Sequence, residues 1–311
     1  MLKLKTFLFL VILLCAATVS AAQFYSDAEL EAAHRQMASN ITLMVTEDIV
    51  RTIPRDRRPA AAKIQVAFEK RGPNPLAFWS DPATATVYVP MESLRFVDDL
   101  AILQAWFERH RCAAEYISTY LWALLRKGRP LPSPLVAFGI DRERALADDF
   151  VRDVSGKALK SSIFFILAHE VGHIMLGHKP GLRGEPSQQQ EVAADAFALD
   201  RFASIGAPPA GMVLYFLAGR WRDPIGTAAS LGTHPVSPER ISAIAKRMAA
   251  EPEAFSFAEP DPQRGREPVL AIARELRRIA ELSSDERMLT LLPLGLARDF
   301  PLSRLRSACV G

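Results

Sequence analysis

An H-E-x-x-H motif, which runs from His169 to His173, limits most strongly what this chain can fold into. The apolar pattern around it predicts a helix over residues 161–178. Histidines four residues apart lie about 40° from each other around a helix, so both imidazoles face the same side. Two such nitrogens can bind one zinc ion, and Glu170 beside them can hold a water molecule at the metal. The motif therefore predicts a metal-binding helix and calls for further ligands elsewhere in the chain.

A second segment supplies candidates for the remaining ligands, because a catalytic zinc needs a third protein ligand and an open fourth position. Glu191 and Asp195 lie four residues apart on one face of a second predicted helix, residues 191–205. The loop before it, residues 179–190, contains glycine and proline and lets this helix fold back against the first one. Glu191 can then reach the metal, and Asp195 can accept a hydrogen bond from the far nitrogen of a ligand imidazole. The alternative is that both acids belong to a solvated helix face.

A third segment, Thr233-His234-Pro235, is followed by Arg240 and Ile241. The three motifs in this order, H-E-x-G-H-x4-H, E-x-x-A-D and T-H-P-x4-R-I, resemble the gluzincin family of the HtpX-type heat-shock proteases and CAAX prenyl endopeptidases. Soluble periplasmic members such as the β-barrel-assembly-enhancing protease share them. The resemblance extends over about residues 163–247. The matching positions are His169, Glu170, Gly172, His173, His178, Glu191, Ala194, Asp195, His234, Pro235, Arg240 and Ile241.

The resemblance implies that His169, His173 and Glu191 bind one zinc ion and that Glu170 is the general base. It also implies a position near the metal for His234, either as a stabiliser of the oxyanion or as a fourth zinc ligand in a resting state. The alternative is that His234 only caps the helix that follows it.

Arg240 and His178 also belong to these motifs. Arg240 is expected to pair with an acid near the site, the alternative being a surface arginine. His178 lies nine residues after His169, which is about 180° away around a helix, so it cannot share the metal from that helix. His178 is therefore predicted to be a structural residue.

The rest of the chain predicts an α+β fold that is mainly helical with a small sheet, and the resemblance implies a zincin-like arrangement. Alternating residues predict a strand over residues 63–68, and residues 77–79 and 86–89 are predicted to form a hairpin. A further short strand is predicted over residues 135–140. An extended substrate is expected to add as a strand beside residues 86–89.

The predicted organisation has three parts. They are a signal peptide at residues 1–22, a zinc metallopeptidase domain at residues 23–250 with a helical insert at about residues 91–160, and a helical C-terminal extension at residues 251–311. The insert lies where the similar family has a short connection, and its role is left open.

The N-terminal segment has the features of a signal peptide. Lys3 and Lys5 precede an apolar stretch at residues 6–17, and small residues up to Ala22 suit a cleavage site. This stretch is shorter than the roughly 20 residues that span a bilayer. The alternatives are an uncleaved membrane anchor and a lipoprotein attached at Cys15. Export predicts a periplasmic or secreted location, with no membrane span after cleavage of the signal.

Two cysteines, Cys112 and Cys309, remain after export. In an oxidising compartment they can form a disulfide, and the alternative is two free buried thiols. The HtpX-type proteases and the prenyl endopeptidases carry several membrane spans. Because this chain is expected to have none after its signal, a prenylated protein is not the expected substrate.

The net charge of the chain argues against nucleic acid as a binding partner. Lys and Arg total 38 and Asp and Glu total 35, which gives a formal net charge of +3. A near-neutral chain of mixed charge has no basic surface of the kind that binds nucleic acid.

The predicted function is a zinc-dependent endopeptidase that hydrolyses unfolded or misassembled envelope proteins. The alternatives are a non-proteolytic or latent zinc-binding module with a chaperone or partner-binding role, and a zinc hydrolase of a non-peptide bond such as a cell-wall amide.

Overall fold

A computed structural model describes residues 23–222, 236–284, 305, 306 and 309. The helices are α1 (Asp27–Leu43), α2 (Val50–Thr52), α3 (Arg58–Ala61), α4 (Met91–Arg109), α5 (Glu115–Leu121), α6 (Pro134–Phe138), α7 (Arg142–Ala147), α8 (Asp149–Met175), α9 (Glu185–Ile205), α10 (Met212–Arg222), α11 (Pro238–Ala250) and α12 (Pro262–Ser284). π-Helical turns over Met44–Ile49 and Trp122–Arg126 continue α1 and α5, and a 3-10 turn spans Pro252–Phe255. The strands are β1 (Gln65–Glu69), β2 (Trp79–Asp81) and β3 (Thr86–Pro90). The predicted signal peptide and His234 lie outside the described residues.

The described strands form one mixed sheet in the order β1-β3-β2. β1 pairs with β3 in parallel, and β2 pairs with β3 antiparallel, with Ser80 opposite Val87. The carboxylate of Asp81 holds the turn between β2 and β3, since it accepts hydrogen bonds from the N–H of Ala83 at 2.9 Å and the hydroxyl of Thr84 at 2.8 Å. The pairing confirms the predicted hairpin, but its first strand is Trp79–Asp81 and not residues 77–79. Together with the helices it also confirms a mainly helical α+β fold.

The expectation that a substrate strand adds beside residues 86–89 is wrong. These residues belong to β3, the central strand, whose backbone is already paired with β1 on one side and β2 on the other. The hairpin alone leaves one side of β3 open, and the sequence does not show that β1 covers that side. Among the described residues β2 pairs with β3 alone, so β2 is an edge strand.

The strand predicted over residues 135–140 is also wrong, because this segment forms the short helix α6. Pro134 lies in the first turn, where its missing N–H removes no helical hydrogen bond. Gly139 ends the helix in the left-handed conformation at φ 68°. These two boundary residues favour a helical turn over the extended conformation that the apolar content alone suggests.

α8 is the longest of the described helices, and α4, α9, α10 and the sheet pack against it. The side chain of Asp148 caps it by accepting hydrogen bonds from two backbone N–H groups of its first turn. The start of α10 lies against α8 at Gly211, where a Cβ atom would stand 2.3 Å from the carbonyl oxygen of Ala158. The hydroxyl of Ser162 donates to the carbonyl of Gly211 at 2.7 Å. This close approach requires glycine and fixes α10 beside α8.

Segments that precede and follow α8 in the sequence contribute to the same hydrophobic core. Leu100 of α4, Leu167 of α8 and Leu276 of α12 belong to one continuous set of buried apolar side chains. Cys112 and Cys309 form a disulfide with their Cα atoms 5.4 Å apart, so of the two alternatives left open by the sequence the structure has the bridge. In the part of the chain that is described, no helix has the length and apolar character needed to cross a membrane. The proposed division into a domain, an insert and an extension stays a prediction.

Candidate metal centre

Two histidines of α8 face each other one helical turn apart. The Nε2 atoms of His169 and His173 lie 3.0 Å from each other, and both side chains are buried. α8 runs without interruption through both residues, which gives them the four-residue spacing that puts them on one face. The helix therefore directs two imidazole nitrogens towards a single point.

Glu191 of α9 completes this group from the facing helix. Its Oε2 atom lies 3.4 Å from the Nε2 atom of His169, and its Oε1 atom lies 3.4 Å from the Nε2 atom of His173. Glu191 is buried, as both histidines are. The three side chains therefore surround one common position between α8 and α9.

The close crossing of α8 and α9 depends on a glycine inside the motif. A Cβ atom at Gly172 would lie 3.2 Å from the side chain of Phe197 and 3.3 Å from the Cα atom of Ala194. α9 begins at Glu185, earlier than the sequence predicts, so Glu191 lies in its second turn instead of at its start. The small residue on α8 lets the backbone of α9 approach closely enough for Glu191 to meet the histidines.

The group fits one metal ion. His169, His173 and Glu191 each offer a ligand atom, and these atoms all lie within 4.8 Å of one another. Two ligand atoms on one tetrahedral zinc stand about 3.3 Å apart, because each lies about 2.0–2.1 Å from the metal. The separations of 3.0 to 3.4 Å are close to that value. Two imidazoles and a carboxylate are also a donor set that zinc accepts.

A buried ion-pair network lies behind the ligands. The Nδ1–H of His169 donates to Oδ1 of Asp195 at 2.8 Å, which directs its Nε2 atom towards Glu191. Arg240 of α11 donates through Nε and Nη2 to the two oxygens of Asp195, each at 2.8 Å. Its Nη1 atom lies 2.8 Å from Oε2 of Glu191. Arg240 therefore joins α11 to both acids of α9, in a site where its side chain is 2% exposed.

The electrostatics of this network suit a cation. Burial alone would lower the pKa of His169, but the hydrogen bonds and charges of Asp195 and Glu191 outweigh it and raise this pKa to about 10. Burial would raise the pKa of Asp195, but Arg240 and then His169 hold it below its ordinary value. Both carboxylates thus act on a protonated His169 through their negative charge. A metal cation can take the place of that proton.

Glu170 lies beside the first ligand on α8, and its contact with the sheet was not foreseen. The hydroxyl of Ser80 on β2 donates to Oε2 of Glu170 at 2.8 Å. Glu170 is 2% exposed. Ser80 is 90 residues away in sequence, inside the predicted hairpin, and no local pattern distinguishes it from other turn residues.

His178 occupies a different place from the one predicted, because α8 ends at Met175. Gly177 adopts the left-handed conformation at φ 63°, and the N–H groups of Gly177 and His178 bond to the carbonyls of Ile174 and His173. This Schellman motif turns the chain back on the helix. The Nδ1 atom of His178 then lies 2.7 Å from the Nδ1 atom of His173. Gly177 was the sequence signal that would have predicted this return.

The structure brings together every predicted site residue that it describes. These residues are His169, Glu170, His173, Glu191, Asp195 and Arg240. His234, the remaining one, lies outside the described residues. To this set the structure adds Ser80 and His178, each through one hydrogen bond to a motif residue.

Comparison with known proteins gives one match. Residues 108–259 match the family Peptidase U49, which is a little under half of the chain and includes α8, α9 and α11. The match supports a peptidase, and with it a polypeptide substrate, without indicating the gluzincin type. No curated protein and no solved structure shows significant similarity to the chain.

Proposed function

We propose that this chain is an exported zinc-dependent endopeptidase of the gluzincin type that cleaves unfolded or misassembled envelope proteins. The observation that carries the proposal is the buried cluster of His169, His173 and Glu191 with Glu170 beside it. The match of residues 108–259 to a peptidase family supports the same reaction class.

The ligand set and its surroundings have defined tasks in this proposal. When bound, zinc would lower the pKa of a water molecule and polarise the peptide carbonyl. His169, His173 and Glu191 would hold the ion. Asp195 keeps the Nδ1 atom of His169 protonated, so its Nε2 atom points at the metal position. Arg240 offsets the charges of Glu191 and Asp195 and fixes the orientation of both carboxylates.

Glu170 is the proposed general base. It accepts a proton from the attacking water and later delivers that proton to the leaving amide nitrogen. Its place next to a ligand on α8, in a buried position, suits a group that exchanges a proton beside the metal. A structural zinc site would have no use for this carboxylate.

The edge strand β2 suits an extended substrate. A strand that is paired on one side only offers backbone groups to another chain, and unfolded polypeptides can bind by adding to such an edge. Ser80 belongs to β2 and contacts Glu170, so a chain paired with β2 would pass close to the base. This geometry supports an unfolded polypeptide as substrate and replaces the docking strand predicted from the sequence.

The proposed compartment is the periplasm or the exterior. It rests on the predicted signal peptide, and the disulfide between Cys112 and Cys309 supports it, because disulfides persist mainly in oxidising compartments.

The test is proteolysis of unfolded casein by the chain from Gln23 onward, with Glu170→Gln as the matched variant. We expect both proteins to bind one equivalent of zinc, measured by elemental analysis. Loss of a general base typically lowers the rate about 10²–10⁴-fold, so cleavage by the variant should fall by that factor. Zinc binding without cleavage by either protein would contradict the proposal and favour a latent or partner-binding module. Equal cleavage by both would point to a contaminating protease.

A further inference from the structure

The contact between the sheet and Glu170 gives Ser80 a role that the proposed function does not assign. Its hydroxyl donates to Oε2 of Glu170 at 2.8 Å, across 90 residues of sequence. A serine close to a hairpin turn often bonds to water or to the backbone of its own turn. Here it bonds to the carboxylate that is proposed to move the proton.

The direction of the Ser80 side chain follows from strand register. Successive residues of a strand point to opposite faces, and directly opposed residues of an antiparallel pair share a face. Ser80 is opposite Val87, which is completely buried, so both point into the protein. A slip of one residue would direct Trp79 or Asp81 at Glu170 instead.

Two contacts hold this register. The rings of Trp79 and Tyr88, which are paired residues on the other face, stack with their centroids 5.3 Å apart. The turn that follows is closed by the two hydrogen bonds to the carboxylate of Asp81. β2 is only three residues long, and these contacts flank Ser80 on both sides.

A hydrogen bond at this point restricts the carboxylate. The terminal torsion of a glutamate side chain is broad, so a carboxylate without a fixed partner samples many orientations. A hydrogen bond donated to Oε2 favours one of these orientations. It also makes the environment of Oε2 different from that of Oε1. Proton transfer depends on such alignment, since small displacements of a reacting group carry large rate penalties.

We propose that Ser80 is a positioning residue that sets the orientation of the Glu170 carboxylate and ties it to the edge strand β2. This role rests on the proposed function, because it presupposes that Glu170 acts as the base. Ser80 itself exchanges no proton in the reaction. A substrate chain paired with β2 is then held by the same strand that orients the base.

The test uses three substitutions of Ser80 in the chain from Gln23 onward, with casein and with a quenched peptide derived from it. Ser80→Thr keeps the hydroxyl group. Ser80→Val has nearly the shape of threonine but lacks the hydroxyl. Ser80→Ala removes the hydroxyl with the smallest change in side-chain volume. We expect Ser80→Ala and Ser80→Val to lower kcat about 10- to 100-fold with little change in KM. Ser80→Thr should retain kcat within about threefold of the wild type. Ser204→Ala, at the far end of α9, is the control for loss of a serine hydroxyl.

Zinc affinity, measured by competition with a chromogenic chelator, and the melting temperature separate positioning from folding. Both should remain close to the wild-type values in Ser80→Thr and Ser80→Val alike. The assignment is overturned if Ser80→Ala retains kcat, or if the Thr and Val variants have equal kcat. An active wild type with an inactive Glu170→Gln and an unaffected Ser80→Ala would leave the proposed function intact and remove only this inference. An inactive wild type would overturn both.

Discussion

Arg240 binds Asp195 through two parallel hydrogen bonds of 2.8 Å, although the two residues lie on different helices and are both almost fully buried. Asp195 in turn accepts the hydrogen bond from His169. One arginine of α11 thus stabilises His169 of α8 through an acid of α9. The orientation of this candidate ligand therefore depends on how three helices pack.

Removal of Arg240 should lower the free energy of unfolding. Arg240→Met removes the buried guanidinium that pairs with Asp195 and Glu191, and breaking a buried pair in this way typically costs about 3–5 kcal/mol of unfolding free energy. We expect the urea midpoint of unfolding to fall accordingly. Arg247→Met on the same helix is the control, because the ion pair of Arg247 with Asp200 is partly exposed and contributes about 1 kcal/mol or less. Equal losses in the two variants would contradict a special role for the buried pair.

His178 should affect zinc binding without being a ligand. Its Nδ1 atom faces the Nδ1 atom of His173, and burial lowers the pKa of His178, which favours the neutral acceptor form. His173 can then donate its Nδ1–H and present Nε2 to the metal. Loss of such an outer partner typically weakens metal affinity about 10- to 100-fold.

The measurement is zinc affinity of His178→Ala and His178→Gln by chelator competition. The alanine variant should show the loss, and the glutamine variant, whose side-chain oxygen can accept the same hydrogen bond, should recover part of it. His34→Ala removes a histidine that contacts Phe68, remote in sequence from all three ligands, and should bind zinc as the wild type does. Wild-type affinity in His178→Ala would contradict the prediction.

Much of the site could be predicted because it is local in sequence. The spacings of His169 to His173 and of Glu191 to Asp195 follow from the helical repeat, and a pattern of this kind does not depend on the rest of the fold. His178 was misplaced although its signal was also local, since Gly177 marks the end of the helix. A helix continued past that glycine puts His178 on the wrong side.

Ser80 could not be predicted in the same way. Its contact with Glu170 depends on strand order, on the register of β2 and on the packing of the sheet against α8. The mistaken docking strand has the same origin. A hairpin can be predicted from its turn residues, but which of its strands becomes the edge is decided by β1, which pairs from outside the hairpin.

Gly172 should be required for the crossing of α8 and α9. A larger side chain there would meet Phe197 and the backbone of Ala194, and overpacking of this kind typically costs about 1–3 kcal/mol. We expect Gly172→Val to lower the melting temperature and to weaken zinc binding, because Glu191 moves away with α9. Gly156→Val, on the same helix with open space around it, should be neutral or slightly stabilising. A neutral Gly172→Val would show that α9 can shift without cost.

Zinc binding should release a proton from His169. The pKa of His169 is raised from 6.5 to about 10, so the favourable interactions of its charged form stabilise the zinc-free protein fully below pH 6.5. That stabilisation is lost as the pH rises through about 10. Between these values zinc must displace a proton that the folded chain holds. The apparent zinc affinity should therefore increase about tenfold per pH unit from pH 7 to 9, the slope for one displaced proton.

Calorimetric titration at pH 8 in buffers of different ionisation enthalpy should show release of about one proton per zinc. Asp195→Asn removes a carboxylate that raises this pKa and should reduce the release, whereas zinc binding by the wild type without proton release would contradict the charged state of His169.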